Sequence, residues 1–446
     1  MPGPPAAATP FRMGRSVAKP YVARGISTPM VDEKLVEEYH SRTAASRHLP
    51  SRIVWWDETL RDGEQTPGVH FSPEEKLRIA ERLSEIGVPL IDAGIPVVSE
   101  EEARAVRRLA EAGLKADILA SARTVPGDVD AVIATGVKHI AVFIAASPVH
   151  LRYKLKMSQD QVVAAAVASI RRAKEAGLHV AFVTEDTVRA PMDFVERLYG
   201  EATRAGADRL VVSDTVGIMT PVTFRWFLDE FRRRVRPTDL SVHCHNDFGL
   251  ATANTLTALE AGAVAPHTCV NGLGERAGNA AFEEVVMLLE SVYGVSTGIR
   301  TERLFELSQL VEEISGVPVP PNKAIVGYNA FSHEAGIHTH GILAHTLTYE
   351  PIQPELVGRH RDMILGKHTG KAALVEKLKE RGLAASDPQL VALLERIKVD
   401  SERRTKAELR SFLVEYRSRY GHPGLSDHDF WAMVEALRIA PTGGHP

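Results

Sequence analysis

Two histidines separated by one residue, in His243-Cys244-His245-Asn246-Asp247, end the short apolar run Leu240-Ser241-Val242. The run reads as a β-strand, and strand side chains alternate faces, so both imidazoles share one face while Cys244 points to the other. Such a pair, joined by a carboxylate, forms a divalent-cation site and leaves coordination positions open for substrate. Asp62 is the carboxylate expected to complete it. Arg61, beside it, keeps its charge and can stabilise the alkoxide that develops from a ketone oxygen.

These residues need a scaffold that gathers them. Short β-rich runs alternate with helical patterns at Arg52–Trp56, Pro89–Ala93, Ala116–Ser121, Lys138–Ile144, Leu178–Thr184, Arg209–Ser213, Leu240–His245 and Val264–Asn271. Start and stop signals mark the helices between them, such as Ser72-Pro73-Glu74-Glu75 before one and Gly87 after it. Eight βα units predict an α/β fold, a (β/α)8 TIM barrel over 51–300, with its chemistry at the C-terminal ends of the strands. Polar residues gather at those ends: Asp57 to Gln65 after the first strand, Ser147 and His150 after the fourth, Glu185-Asp186 after the fifth, Asp214-Thr215 after the sixth, and Asn271 to Asn279 after the eighth. Before the barrel, residues 1–50 read as a flexible extension. After it, 301–325 reads as a linker and 326–446 as a mainly helical C-terminal subdomain.

Composition excludes several functions. The chain has 446 residues, 44% hydrophobic and 25% charged, with a formal charge of −4. That balance gives no electrostatic case for nucleic acid or an anionic membrane. No apolar run reaches the ~18 residues of a membrane span. Two cysteines, Cys244 and Cys269, suit a reducing, cytoplasmic setting rather than a disulfide scaffold. Gly366-Lys367-His368-Thr369-Gly370-Lys371 lacks the spacing of a phosphate-binding loop, so a nucleotide site is not expected.

The segments Asp57-Glu58-Thr59-Leu60-Arg61-Asp62-Gly63-Glu64-Gln65, His243-Cys244-His245-Asn246-Asp247, Asn271-Gly272-Leu273-Gly274-Glu275-Arg276 and Gly278-Asn279 resemble the motifs of the 2-isopropylmalate/homocitrate synthase family, within the DRE-TIM metallolyases. The resemblance spans about residues 50–380. It implies condensation of acetyl-CoA with a 2-oxo acid, followed by thioester hydrolysis. It implies that Asp62, His243 and His245 bind a divalent metal (zinc, manganese or magnesium), with Asn279 as a further protein ligand, and that Arg61 contacts the oxo group. Thr215 resembles a threonine that holds the substrate carboxylate, and Glu185 a catalytic glutamate. Ser147 and Gly274 are added as substrate-binding candidates, the latter because a glycine-rich loop lets backbone amides approach an anion. Gly327-Tyr328-Asn329-Ala330-Phe331-Ser332-His333-Glu334-Ala335-Gly336-Ile337-His338 resembles the segment that brings a histidine into the partner subunit's active site. It implies a homodimer, with His338 as the base and Tyr349 assisting.

Three departures bear on the substrate. The family usually has Thr or Ser where Glu58 stands and Glu where Asp92 stands, both near the expected oxo-acid pocket. The chain also ends soon after Thr405–Ile439, leaving no room for the domain through which leucine inhibits isopropylmalate synthases. That ending favours a homocitrate synthase-like enzyme. Ser147-Pro148-Val149-His150 and Tyr153 to Met157 look more like isopropylmalate or citramalate synthases, and specialised relatives use phosphinopyruvate or phosphonopyruvate. A hydroxymethylglutaryl-CoA-type lyase is the rival of another class, but Gly272–Gly278 lacks the cysteine those lyases carry there.

Overall fold

The computed structural model describes residues 49–403, 406–420 and 424–437, so nearly all of the expected N-terminal extension lies outside the described residues. Eight parallel strands form a closed barrel in chain order: β1 (Trp56–Asp57), β2 (Leu90–Asp92), β3 (Asp117–Arg123), β4 (His139–Ala145), β5 (His179–Glu185), β6 (Arg209–Asp214), β7 (Leu240–Cys244) and β8 (Ala265–Thr268). Closure comes from β1 pairing with β8, which sets Trp56 opposite His267 and Asp57 opposite Thr268. Most strands fall where the apolar runs predict them. The first is shorter than Arg52–Trp56 suggests, and β8 stops at Thr268, leaving Asn271 in a tight turn with φ of 60°.

Local sequence explains the helices that alternate with these strands. Helix α1 (Pro73–Ile86) begins with Ser72 and Glu75 capping each other's backbone amides, with Pro73 at the first position, and ends at Gly87 with φ of 109°. Helix α2 (Glu100–Glu111) is capped by Ser99. A buried cluster of Trp56, Leu90, Leu119, Ala141, Ala181 and Val211, each from a different strand, packs within the barrel.

The chain divides into two compact units. The first holds the barrel: the described residues up to Arg61, Ser72–Gly272 and Ala277–Arg300. The second comprises Asp62–Phe71, Leu273–Arg276 and the described residues from Thr301 onward. Within it, residues 301–325 are more than the expected linker. They contain helix α3 (Leu304–Ser315), whose Leu304, Leu307, Ser308 and Val311 are buried at amphipathic spacing. Further along, β9 (Ser332–His333) pairs in parallel with β10 (Asp362–Met363). Helices follow at Gly336–Ala344, Lys371–Lys379, Asp387–Arg403, Ala407–Tyr420 and Asp427–Ala436.

Candidate active site at the C-terminal end of the barrel

The loop after β1 is fixed from several sides before any chemistry begins. The Asp57 carboxylate accepts from the Thr59 amide at 2.9 Å and from its hydroxyl at 3.1 Å. The Thr59 hydroxyl in turn accepts from the Val270 amide beyond β8 at 2.9 Å. Lys76, wholly buried on α1, donates to the carbonyls of Leu60 and Ala93 at 3.1 and 3.0 Å and pairs with Glu102. Leu60 and Ala93 flank Arg61 and Asp92, so one ammonium group anchors both loops.

Around Glu58 this anchoring assembles a buried hub. Its Oε2 lies 2.7 Å from His243 Nδ1 and also pairs with Arg61, and its Oε1 lies 2.9 Å from His267 Nδ1. Burial alone would raise the Glu58 carboxyl, but Arg61, His243 and His267 outweigh it and hold the group well below its ordinary range. Asp92 faces the other side of Arg61, with Oδ2 3.4 Å from Nε, and accepts from the Ser121 hydroxyl at 2.7 Å. Burial pushes Asp92 up to about 7, against the pull of Arg61 and with the Glu58 charge adding to the rise. His267 is driven down to about 4 by burial, so its imidazole is neutral.

The paired histidines meet as strand alternation predicts. His243 and His245 are buried, their rings cross at 71°, and their Nε2 atoms lie 3.0 Å apart. Two imidazole nitrogens converging on one region are what a small cation requires, and the same hub offers Glu58, His243 and His267 as a further donor group, one atom from each lying within 4.8 Å of the others. Asn279 is buried, bridges to the His245 backbone, and donates from Nδ2 to Cys269 Sγ at 3.4 Å. Its oxygen is therefore the atom suited to a cation.

The other expected residues fall into separate groups. Ser147 is buried, and its hydroxyl lies 2.9 Å from His150 Nδ1, which also lies 2.9 Å from Asp186 Oδ2. The Thr215 hydroxyl accepts from the Asp186 amide at 2.8 Å. Glu185, at the end of β5, is ion-paired by Lys154 at 2.7 and 2.9 Å, a partner that the linear sequence did not reveal. Within the second unit, Asp62 is buried and accepts from the Glu275 amide at 3.2 Å, while the Gly274 amide donates to the Thr66 hydroxyl at 2.8 Å. Also there, the His338 and Tyr349 rings pack with centroids 4.1 Å apart. The neighbouring Glu350 is buried and bound by His333 at 3.0 Å and by Arg361.

Sequence reading missed His267 and Lys76. A histidine inside the apolar strand Ala265–Thr268 was the available signal for the first. A lysine four residues after the cap Ser72 gave no signal for the second, because its partners come from three other segments.

The HMGL-like family model matches residues 52–311, and the model described as homocitrate synthase post-HMGL domain-like matches 325–405. The chain is 52% identical to homocitrate synthase AksA of Methanopyrus kandleri over 80% of this chain and 90% of that one. It is 52% identical to 2-isopropylmalate synthase of Methanocaldococcus jannaschii over 75% of this chain and 65% of that one. Against (R)-citramalate synthase CimA of the same organism, identity is 47% over 77% and 70%. Among solved structures, the hydroxymethylglutaryl-CoA lyase of Pseudomonas aeruginosa shares the fold, with a TM-score of 0.55 at 23% identity over 61% of this chain and 95% of that one. No helix among the described residues is long and apolar enough to cross a membrane.

Proposed function

Because this chain belongs to the HMGL-like family, whose members depend on a divalent metal, we propose that it condenses acetyl-CoA with a 2-oxo acid and hydrolyses the resulting thioester. The observation that carries this reading is the convergence of the His243 and His245 Nε2 atoms at the end of β7. Asp62 joins them as the carboxylate ligand and Asn279 as a further oxygen donor. A divalent metal held by these residues would supply Lewis-acid polarisation of the 2-oxo acid. The donor set of two nitrogens and one or two oxygens suits zinc, manganese or magnesium.

This chain's own residues do the rest. Arg61 is held between Glu58 and Asp92, where its guanidinium can meet the oxo group and stabilise the negative charge that develops on it. A base takes a proton from the acetyl methyl group, and the resulting carbon nucleophile forms a bond to the 2-oxo carbon. The former ketone oxygen gains a proton to become a tertiary alcohol, and water then cleaves the thioester and releases the CoA thiol. His338, stacked on Tyr349, is the proposed base, acting in the second subunit of a homodimer. Glu185, paired with Lys154, takes the second acid–base role. Thr215, Ser147 and the Gly274 amide are assigned to substrate binding.

A homocitrate-type product is the leading reading, supported by the match of 325–405 to the homocitrate synthase post-HMGL model. Isopropylmalate or citramalate synthesis is the second, favoured by the relatives that bear those names. A thiol-release assay with acetyl-CoA against 2-oxoglutarate, 2-oxoisovalerate, pyruvate, oxaloacetate and phosphonopyruvate decides among them. Chelator-sensitive CoA release with one acid, absent in Asp62→Ala, is the expected result. Cleavage of a 3-hydroxyacyl-CoA with no release from any acid would sink the synthase reading.

A further inference from the structure

One buried aspartate joins the three strand-end loops that carry Ser147, Glu185 and Thr215. Asp186 follows Glu185 at the end of β5 and is wholly buried. Its φ of 57° lies in the left-handed region, which asparagine and aspartate tolerate better than most side chains. We propose that Asp186 is a positioning residue, whose carboxylate and amide hold Ser147, Glu185 and Thr215 in one fixed arrangement before substrate arrives. This rests on the synthase reading, which gives those three residues their roles.

Each loop has its own link to Asp186. From the loop after β4, His150 Nδ1 lies 2.9 Å from Asp186 Oδ2 and 2.9 Å from the Ser147 hydroxyl, so the ring bridges the two. From the loop after β5, Arg189 Nε donates to both carboxylate oxygens, at 2.7 and 3.0 Å, and closes the turn on itself. From the loop after β6, the Thr215 hydroxyl accepts from the Asp186 amide at 2.8 Å. The consequence falls on Glu185. The Ala146 amide donates to its carbonyl at 3.0 Å, so the barrel fixes its backbone up to that oxygen, and the left-handed turn at Asp186 sets the path of the chain beyond. Lys154, on the same loop as His150, pairs with the Glu185 carboxylate at 2.7 Å. Two consecutive acidic residues thus tether the β4 loop, and a shift of one moves the other. A left-handed turn alone could be made by glycine, whereas reaching Arg189 and His150 takes a carboxylate. Unusual backbone persists where its surroundings over-determine it, and a displacement of about 1 Å at a reacting group can cost about 100-fold in rate.

Asp186→Gly separates the two contributions, because it keeps the left-handed backbone accessible and removes the carboxylate. The purified full chain is followed by hydrogen–deuterium exchange, by thermal melting, and by CoA release from acetyl-CoA with the same panel of 2-oxo acids. Exchange at 147–157 and 215–219 should quicken about 10-fold or more while β1 to β3 keep their rates. The kcat for CoA release should fall about 10- to 100-fold. Asp186→Asn, which keeps the left-handed preference and one acceptor oxygen, should recover part of both. If Asp186→Gly fails to fold, His150→Ala cuts the β4 link alone at a partly exposed ring, and should quicken exchange at 147–157 and lower kcat by a smaller factor. Unchanged loops, uniform quickening over the whole barrel, or loosened loops with a normal kcat would each overturn the inference and leave the synthase reading in place. A wild-type chain that releases no CoA with any acid would overturn the synthase reading and this inference with it.

Discussion

The barrel carries a pair of neighbouring histidine rings at each end, and the two pairs differ in what their geometry permits. At the N-terminal end, His139 and His179 open adjacent strands and stack, with centroids 5.0 Å apart and planes only 17° from parallel. At the C-terminal end, His243 and His245 have centroids 4.7 Å apart, but their planes cross at 71° and their Nε2 atoms converge. Stacked rings send their nitrogens sideways in parallel, so no shared point lies in both lone-pair directions. Crossed rings on one strand face supply such a point. The cavity beside His139 and His179 is about 20 Å³, too small for any organic substrate. Ring proximity is therefore common to both ends, and ring angle separates a packing pair from one whose nitrogens could share a ligand.

The sharpest way to break this comparison is to delete one ring from each pair. His245→Ala should abolish Mn2+ binding and CoA release together, because one imidazole and the remaining oxygen donors hold the ion too weakly in competition with water. His179→Ala should leave both intact and change stability by no more than about 0.5 kcal/mol, since His179 is exposed. Urea unfolding and the thiol assay on both variants provide the check. Loss of turnover in His179→Ala with normal folding would show that the two ends are not functionally distinct.

A large part of this contrast was legible before the structure. The spacing His243-x-His245 on an apolar strand places both rings on one face, and the alternation of runs places that strand seventh of eight. What linear reading missed depends on closure and on long reach. His267 becomes a partner of Glu58 only because β8 pairs with β1, a register that no local pattern specifies. The Lys154–Glu185 pair spans two strand-end loops, and the burial of Lys76 is intelligible only once Leu60, Ala93 and Glu102 surround it. The helix Leu304–Ser315 shows locally in its apolar spacing, within the stretch 301–325 expected to be a linker.

Each end also has a cation that ties loops together, and here the comparison can be sharpened. Lys76 anchors Leu60, Ala93 and Glu102, while Glu102 accepts from the Ile95 amide at 3.1 Å. Gly94 has φ of 130°, and a Cβ there would fall 1.7 Å from Glu102 Oε1, so the clamp leaves no room for a side chain at that position. At the opposite end, Arg209 forms a two-point pair with Asp239 at 3.0 and 2.9 Å. Lys76→Met should cost about 3–5 kcal/mol, as removing one partner of a buried pair does, and should also lower kcat because Arg61 and Asp92 lose their anchor. Arg209→Met should cost stability alone, and less of it, because Asp239 is 21% exposed. A normal kcat in folded Lys76→Met would show that the loops need no such anchor.

The smallest effect expected is a difference in the sign of pH dependence between the two ends. Burial drives His139 down to about 4, with Asp117 opposing and His179 and Arg209 reinforcing the shift. An unfolded histidine titrates near about 6.5. Between about 4 and 6.5 the unfolded chain binds a proton that the folded chain refuses, so this group makes stability fall as the pH drops through that window. Asp57, at the other end of the same core, is pushed up to about 7 by burial, against its two bonds from Thr59. An unfolded aspartate titrates near about 3.9, so between about 4 and 7 the folded chain holds a proton that the unfolded chain has lost, and stability falls as the pH rises. Urea midpoints from pH 4.5 to 7 should therefore lose part of their acid decline in His139→Gln and part of their opposing slope in Asp57→Asn. Each effect is bounded at about 1.4 kcal/mol per pH unit. Parallel curves for wild type and both variants would mean that neither end of the barrel stores its burial cost in these groups.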